Sequence, residues 1–318
     1  MVGVSAASLS QRSPSHVLRP PPPPPPQPHR LVRSVCCLSS GLSTPPLVEQ
    51  TLSRILSSGV IACLRANRHA YTTYYSLASY PSNQISRLQL KNLHKKKKAR
   101  IFPGLILICS RTQLGIFSLI FAEMAMEAAR AAVSAGISVL EIVVSTPGVF
   151  EVIQQLVDDH PATVFGAGTV LNVEDAKKAT NAGAKFIMSP AMVKDIMDDY
   201  QTGEVLYMPG VMTPTEILCA HDAGAKIVKV YPVSALGGIK YISALKKPFS
   251  HISMVASQGI TIDSVGEYIA LGASSVVLSD AIFNKEALRQ NNFNEIYQLA
   301  HFAALQGKEA VERLVFAL

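Results

Sequence analysis

The sequence predicts an α/β protein, a single-domain (β/α)8 TIM barrel, and three features carry that prediction. From Ala122 onward, short apolar runs alternate with helical patterns, the signature of parallel strand–helix units. A small-residue helix end followed by a strand recurs at Ala135-Gly136-Ile137-Ser138, Ala182-Gly183-Ala184-Lys185, Ala223-Gly224-Ala225-Lys226 and Leu271-Gly272-Ala273-Ser274. These glycines fall 47, 41 and 48 residues apart, and each interval holds two strand–helix units, the pace of a barrel rather than of a propeller or solenoid. The apolar runs number eight.

Strands are expected at 58–64, 138–144, 162–166, 185–189, 204–208, 226–231, 252–256 and 274–278. The first ends in an exit loop, Arg65-Ala66-Asn67, and the helix that should follow directly reads from Glu123 to Ala132. Thr213-Pro214-Thr215-Glu216 sets a capping threonine, a first-turn proline and a capping-box glutamate in order. Thr146-Pro147 is expected to start its helix in the same way. A doubly wound sheet is the alternative, but no G-x-G-x-x-G follows a strand, and Gly166-Ala167-Gly168 lacks the third glycine.

Charge divides the chain into two unlike parts. Up to Phe121 there are fifteen Lys or Arg and one acid, Glu49; from Ala122 onward fourteen basic residues face twenty-one acidic ones. The net charge of +7 therefore averages a basic front and an acidic body, and does not mark a nucleic-acid or membrane-surface protein. Residues 1–45 are rich in Ser, Arg and Pro, with an unbroken run Pro20–Pro26. That is the composition of an organelle transit peptide, plastid ahead of mitochondrion, with a proline-rich tail for an SH3-type partner as the alternative. The barrel is expected to comprise 46–67 and 122–318, with 68–121 an insertion outside the fold, such as translated intron sequence. A structureless loop of that length is uncommon in a compact domain. The insertion holds Lys95–Lys98 and an apolar run, Ile101–Phe121, about long enough to span a bilayer but interrupted by Pro103 and Arg111.

Two charges stand where none should be. Strands of a parallel barrel are buried on both faces and should be apolar throughout, yet Lys229 sits in Ile227-Val228-Lys229-Val230-Tyr231 and Glu141 in Val139-Leu140-Glu141-Ile142-Val143. Desolvation favours the neutral form of either side chain type. A neutral lysine attacks carbonyls, and a glutamate beside it carries protons. A structural ion pair inside the barrel is the alternative. Lys185 and Lys226 begin strands and are expected to be solvated. No metal is expected, because His160, His221, His251 and His301 show no ligand spacing. Cys36, Cys37, Cys63, Cys109 and Cys219 show no C-x-x-C pair and no disulfide framework, which fits a reducing interior such as stroma or cytosol.

Four segments carry a resemblance: VLEIVVST at Val139–Thr146, GAGTV at Gly166–Val170, MPGVMT at Met208–Thr213 and KVYP at Lys229–Pro232. In this order they resemble the 2-keto-3-deoxy-6-phosphogluconate / 4-hydroxy-2-oxoglutarate (KDPG/KHG) aldolases, here in a plant-like organellar form, over roughly 55–67 and 122–318. The resemblance implies a class I aldolase on a (β/α)8 barrel, a homotrimer without cofactor or metal, acting on a small 2-keto acid. It places the Schiff-base lysine at Lys229 and the acid/base glutamate at Glu141. Arg65, Thr169, Pro190, Ser257 and Gly259 fall at substrate positions.

The chain also departs from the family. The arginine that usually follows the glutamate and grips the substrate carboxylate is Ser145, and a hydroxyl cannot replace a bidentate contact. The phosphate-binding Gly-Gly pair reads Gln258-Gly259, after Ser257 in place of threonine, and a later Gly-Gly-Ser reads Ser279-Asp280-Ala281. An aspartate beside a phosphate dianion is repulsive, so an unphosphorylated 2-keto acid is a second expectation. The rival functions are a sugar-phosphate epimerase or isomerase, and a catalytically weak barrel kept for binding small ligands.

Overall fold

Why the sequence repeats a glycine at each helix end is plain in the computed structural model, which describes residues 46–66, 113–200 and 203–317. Gly136, Gly183, Gly224 and Gly272 all lie in the left-handed region, at φ of 108°, 94°, 96° and 114°. A chain leaving a helix must take this conformation to turn back into a strand, and glycine takes it without steric cost.

The strands these turns feed are β1 (Val60–Leu64), β2 (Val139–Val143), β3 (Val164–Gly168), β4 (Phe186–Met188), β5 (Leu206–Met208), β6 (Gly210–Val211), β7 (Ile227–Val230), β8 (Ser253–Ser257) and β9 (Ser275–Leu278). All pair in parallel, in the order β5-β4-β3-β2-β1-β9-β8-β7-β6. β5 and β6 are two pieces of one barrel strand, divided at Pro209, which has no N–H to give to a ladder. The proline carbonyl still accepts from the Lys229 N–H at 2.9 Å, and the Val211 carbonyl from the Tyr231 N–H at 3.1 Å, so the sheet closes on itself. The eight expected strands are therefore the eight barrel strands. The third is displaced, beginning at Val164 because Pro161–Thr163 form a turn in which the Thr163 N–H donates to the His160 carbonyl.

Helices α1 (Leu47–Ser58), α2 (Gln113–Ser134), α3 (Val149–Asp159), α4 (Val173–Asn181), α5 (Lys194–Tyr200), α6 (Pro214–Asp222), α7 (Ile239–Lys246), α8 (Val265–Ala270), α9 (Lys285–Arg289) and α10 (Phe293–Ala317) complete the fold. The expected capping box of α6 is present: Thr213 Oγ1 accepts from the Glu216 N–H, and Glu216 returns to the Thr213 N–H. Thr146 does not cap α3, which begins at Val149 behind a left-handed Gly148. Its hydroxyl is used elsewhere, accepting from the buried Ala66 N–H at 3.3 Å and tying the exits of β1 and β2 together. Helix α2 starts at Gln113, upstream of the expected boundary at Ala122, and Phe121 is buried in the core. Residues 1–45, the stretch 67–112 and the apolar run's first part, 101–112, lie outside the described residues. Among the described residues no helix is long and apolar enough to cross a membrane.

Two cores result. One fills the space between barrel and helices and takes the outward residues of the strands, such as Ala62, Leu140 and Val228. The other fills the barrel with inward residues, among them Ile61, Cys63, Val139, Phe186, Met208, Val255 and Val277. Ile55 of α1 plugs the N-terminal end of the barrel, so access to the interior is from the opposite end.

Candidate active site

The strand alternation that buries apolar residues inside the barrel also turns Glu141 and Lys229 inward. Glu141, in the middle of β2, is 1% exposed and Lys229, in β7, is 6% exposed. The lysine Nζ lies 3.7 Å from Glu141 Oε1 and 5.4 Å from the centre of the Tyr231 ring. Neither carboxylate oxygen of Glu141 has a hydrogen-bond partner among the described residues. A buried carboxylate without such partners is costly, and natural cores keep one only where something else is gained. Lys185 and Lys226 do not share this setting, being half-buried and exposed at their strand starts.

Room for the pair comes from β3. A Cβ on Gly168 would stand 1.6 Å from Glu141 Oε1, and one on Gly166 would stand 2.4 Å from the Phe186 ring. The two glycines face the interior so that a carboxylate and a phenyl ring can cross it. Their G-x-G spacing is thus a packing pattern, not a nucleotide motif. Cys63 is the other residue that the sequence did not single out. It is paired in register with Glu141 and buried in the same interior. Burial pushes its thiol well above the ordinary range, and the Glu141 charge adds to this against the opposing pull of Lys229 and Arg65.

The remaining expected site residues sit where the strands end. Arg65 follows β1 and is exposed; Ser145 follows β2 and is exposed; Thr169 follows β3; Pro190 follows β4. Ser257 closes β8 and is 4% exposed, with Gly259 in the loop beyond. This is the end at which barrel enzymes carry their active sites. Pro190 is seated closely: a Cβ on Gly210 would stand 2.1 Å from its carbonyl carbon. Two non-glycine residues at this rim have left-handed backbones, Thr169 at φ 59° and Gln258 at φ 87°. Such strain costs on the order of 1–3 kcal/mol and gathers at functional sites. Gln258 Oε1 accepts from Ser234 Oγ at 2.5 Å, joining the loops after β8 and β7. Asp280 is exposed in the loop after β9. Among the described residues no group of three or more His, Cys, Asp or Glu is placed to hold a metal ion.

The model of one protein family, "KDPG and KHG aldolase", matches residues 112–299. The chain belongs to the KDPG/KHG aldolase family. Relatives of this aldolase include the KHG/KDPG aldolase of Escherichia coli (strain K12), 30% identical over 190 residues, 60% of this chain and 86% of the relative. The 2-dehydro-3-deoxy-phosphogluconate aldolase of Dickeya dadantii is 30% identical over 181 residues, 57% of this chain and 85% of the relative. Among solved structures, the KDPG aldolase of Legionella pneumophila is similar with a TM-score of 0.54 and 28% identity, covering 57% of this chain and 87% of that one. It was captured with pyruvate as a covalent carbinolamine. Family membership makes the protein an aldolase, a lyase, and sets aside the epimerase and isomerase readings of its barrel.

Proposed function

We propose that this aldolase cleaves a 2-keto-3-deoxy or 4-hydroxy-2-keto acid through a Schiff base on Lys229, releasing pyruvate and an aldehyde. The observation that carries the reading is the buried Lys229–Glu141 pair, 3.7 Å apart inside the barrel. The Legionella relative's carbinolamine with pyruvate supports the same chemistry. The Lys229 amine attacks the C2 ketone, and loss of water leaves an iminium that withdraws electrons from C3. Glu141, directly or through a water, removes the proton of the C4 hydroxyl. The C3–C4 bond breaks, its electron pair enters the iminium as an enamine, and the aldehyde leaves. Protonation at C3 and hydrolysis return Lys229 and release pyruvate.

The substrate is 2-keto-3-deoxy-6-phosphogluconate or 4-hydroxy-2-oxoglutarate, giving glyceraldehyde 3-phosphate or glyoxylate. Ser145, Gln258 and the exposed Asp280 favour the substrate without phosphate. Arg65, exposed at the rim, takes the substrate carboxylate, and Thr169, Pro190, Ser257 and Gly259 line its path. Exposed Leu171, Met192 and Met212, which follow β3, β4 and β6, supply an apolar surface for assembly as a homotrimer. Residues 1–45 direct the chain to the plastid.

The test is incubation with pyruvate and sodium borohydride, followed by peptide mass spectrometry. A reduced adduct on Lys229 is expected. Folded protein that gives no adduct, or an adduct elsewhere, refutes the lysine assignment.

A further inference from the structure

Strand β7 brings an aromatic ring to the reacting nitrogen, and the mechanism above gives that ring no task. Lys229 and Tyr231 are two residues apart on one extended stretch, so their side chains leave it on the same side. The backbone of both is pinned to the neighbouring strand. The Lys229 N–H donates to the Pro209 carbonyl at 2.9 Å, and the Tyr231 N–H to the Val211 carbonyl at 3.1 Å. Lys229 Nζ lies over the Tyr231 ring, 5.4 Å from its centre. That is within the distance of about 6 Å at which the negative face of an aromatic ring attracts a cation. The lysine is buried, so little water competes for its charge. Its register partners, Gly210 of β6 and Val255 of β8, carry no charge. Among the described residues, the groups that meet a positive charge at Nζ are therefore Glu141 at 3.7 Å and the Tyr231 face.

We propose that the face of the Tyr231 ring stabilises the iminium on Lys229, and so draws the neutral carbinolamine that precedes it toward dehydration. In that step the nitrogen's electron pair forms the second C2–N bond. The C2 hydroxyl takes a proton from solvent and leaves as water, and a positive charge appears on Nζ. An ammonium has three N–H donors with which to spread its charge into hydrogen bonds, whereas this iminium keeps one. A ring face needs no N–H to act on a cation. Glu141 does not duplicate it: taking the C4 hydroxyl proton neutralises the carboxylate, while the ring keeps its charge distribution. The inference rests on Lys229 forming the Schiff base.

The experiment is NMR of the full chain with pyruvate carrying carbon-13 at C2, which separates the tetrahedral carbinolamine carbon from the trigonal iminium carbon. Tyr231→Phe keeps the face and is expected to keep the wild-type ratio of iminium to carbinolamine. Tyr231→Leu removes the face, and the ratio is expected to fall about three- to tenfold. Phenylalanines with increasing ring fluorination, placed at position 231, withdraw electron density from the face at nearly constant shape. Along that series the ratio is expected to fall stepwise, and the series carries the test if Tyr231→Leu does not fold. A ratio unchanged in folded Tyr231→Leu, or unchanged along the fluorinated series, overturns the proposal. So does a Tyr231→Phe that loses as much as Tyr231→Leu, which would assign the effect to the hydroxyl. A wild-type chain with no adduct on Lys229 sinks the Schiff-base reading itself, whereas an adduct whose ratio ignores the ring sinks this inference alone.

Discussion

At the scale of single residues, the site depends on what is missing as much as on what is present. Gly168 has no side chain because Glu141 occupies that space, with a would-be Cβ 1.6 Å from its Oε1. Gly168→Ala is expected to push the carboxylate aside and to lower kcat/KM by on the order of a hundredfold, the effect of about an ångström of misplacement. Its stability should fall by only about 1–3 kcal/mol, the ordinary cost of overpacking. Steady-state kinetics beside a denaturant melt checks both. Lys229 and Glu141 also depend on each other for stability. Lys229→Met leaves a carboxylate buried without its counter-charge, at a cost of about 3–5 kcal/mol. Adding Glu141→Gln to that variant should recover part of the loss, so the two changes are non-additive in a double-mutant cycle. Additive losses would mean that the pair does not interact.

At the scale of elements, the helices are set by links their own sequences do not advertise. Thr146 precedes a proline and looks like a cap, but its hydroxyl serves the Ala66 N–H across the barrel mouth. Thr146→Val leaves that buried N–H unpaired, and a loss of about 1–3 kcal/mol is expected. Helices α2 and α3 are joined by Arg130, which donates to Asp159 at 2.6 Å. That hydrogen bond holds the Asp159 carboxyl below its usual range. A lowered folded-state value contributes stability above the unfolded carboxylate pKa and loses it as pH falls through the folded one. Wild type should therefore exceed Arg130→Met in Tm at neutral pH, by no more than a surface pair supplies, under about 1 kcal/mol. The difference should shrink as pH is lowered below about 4. A gap that persists in acid would trace it to packing of the arginine stem instead.

At the scale of the whole molecule, the barrel closes with the sequence-remote 60–64 strand lying between β2 and β9. If the stretch between that strand and α2 is an insertion outside the fold, a chain lacking 68–112 should keep its circular dichroism spectrum and melt within a few degrees of the full chain. Loss of cooperative melting would show that the stretch belongs to the barrel. What the sequence determined by itself is the barrel, its strand count and its two buried charges. Those are written in local signals: alternating apolar runs, glycines that leave helices, and ionisable residues inside strands that should have none. What only the tertiary structure decided is which residues meet across the interior. Gly166, Gly168 and Cys63 are ordinary strand residues until the parallel register sets Cys63 beside Glu141 and Glu141 beside Gly166. Thr146 likewise is a helix cap by its neighbours in sequence and a cross-link by its neighbours in space. The reason is physical: strand periodicity fixes which way a side chain points, but its partner is fixed by barrel closure, which brings together residues far apart in the chain.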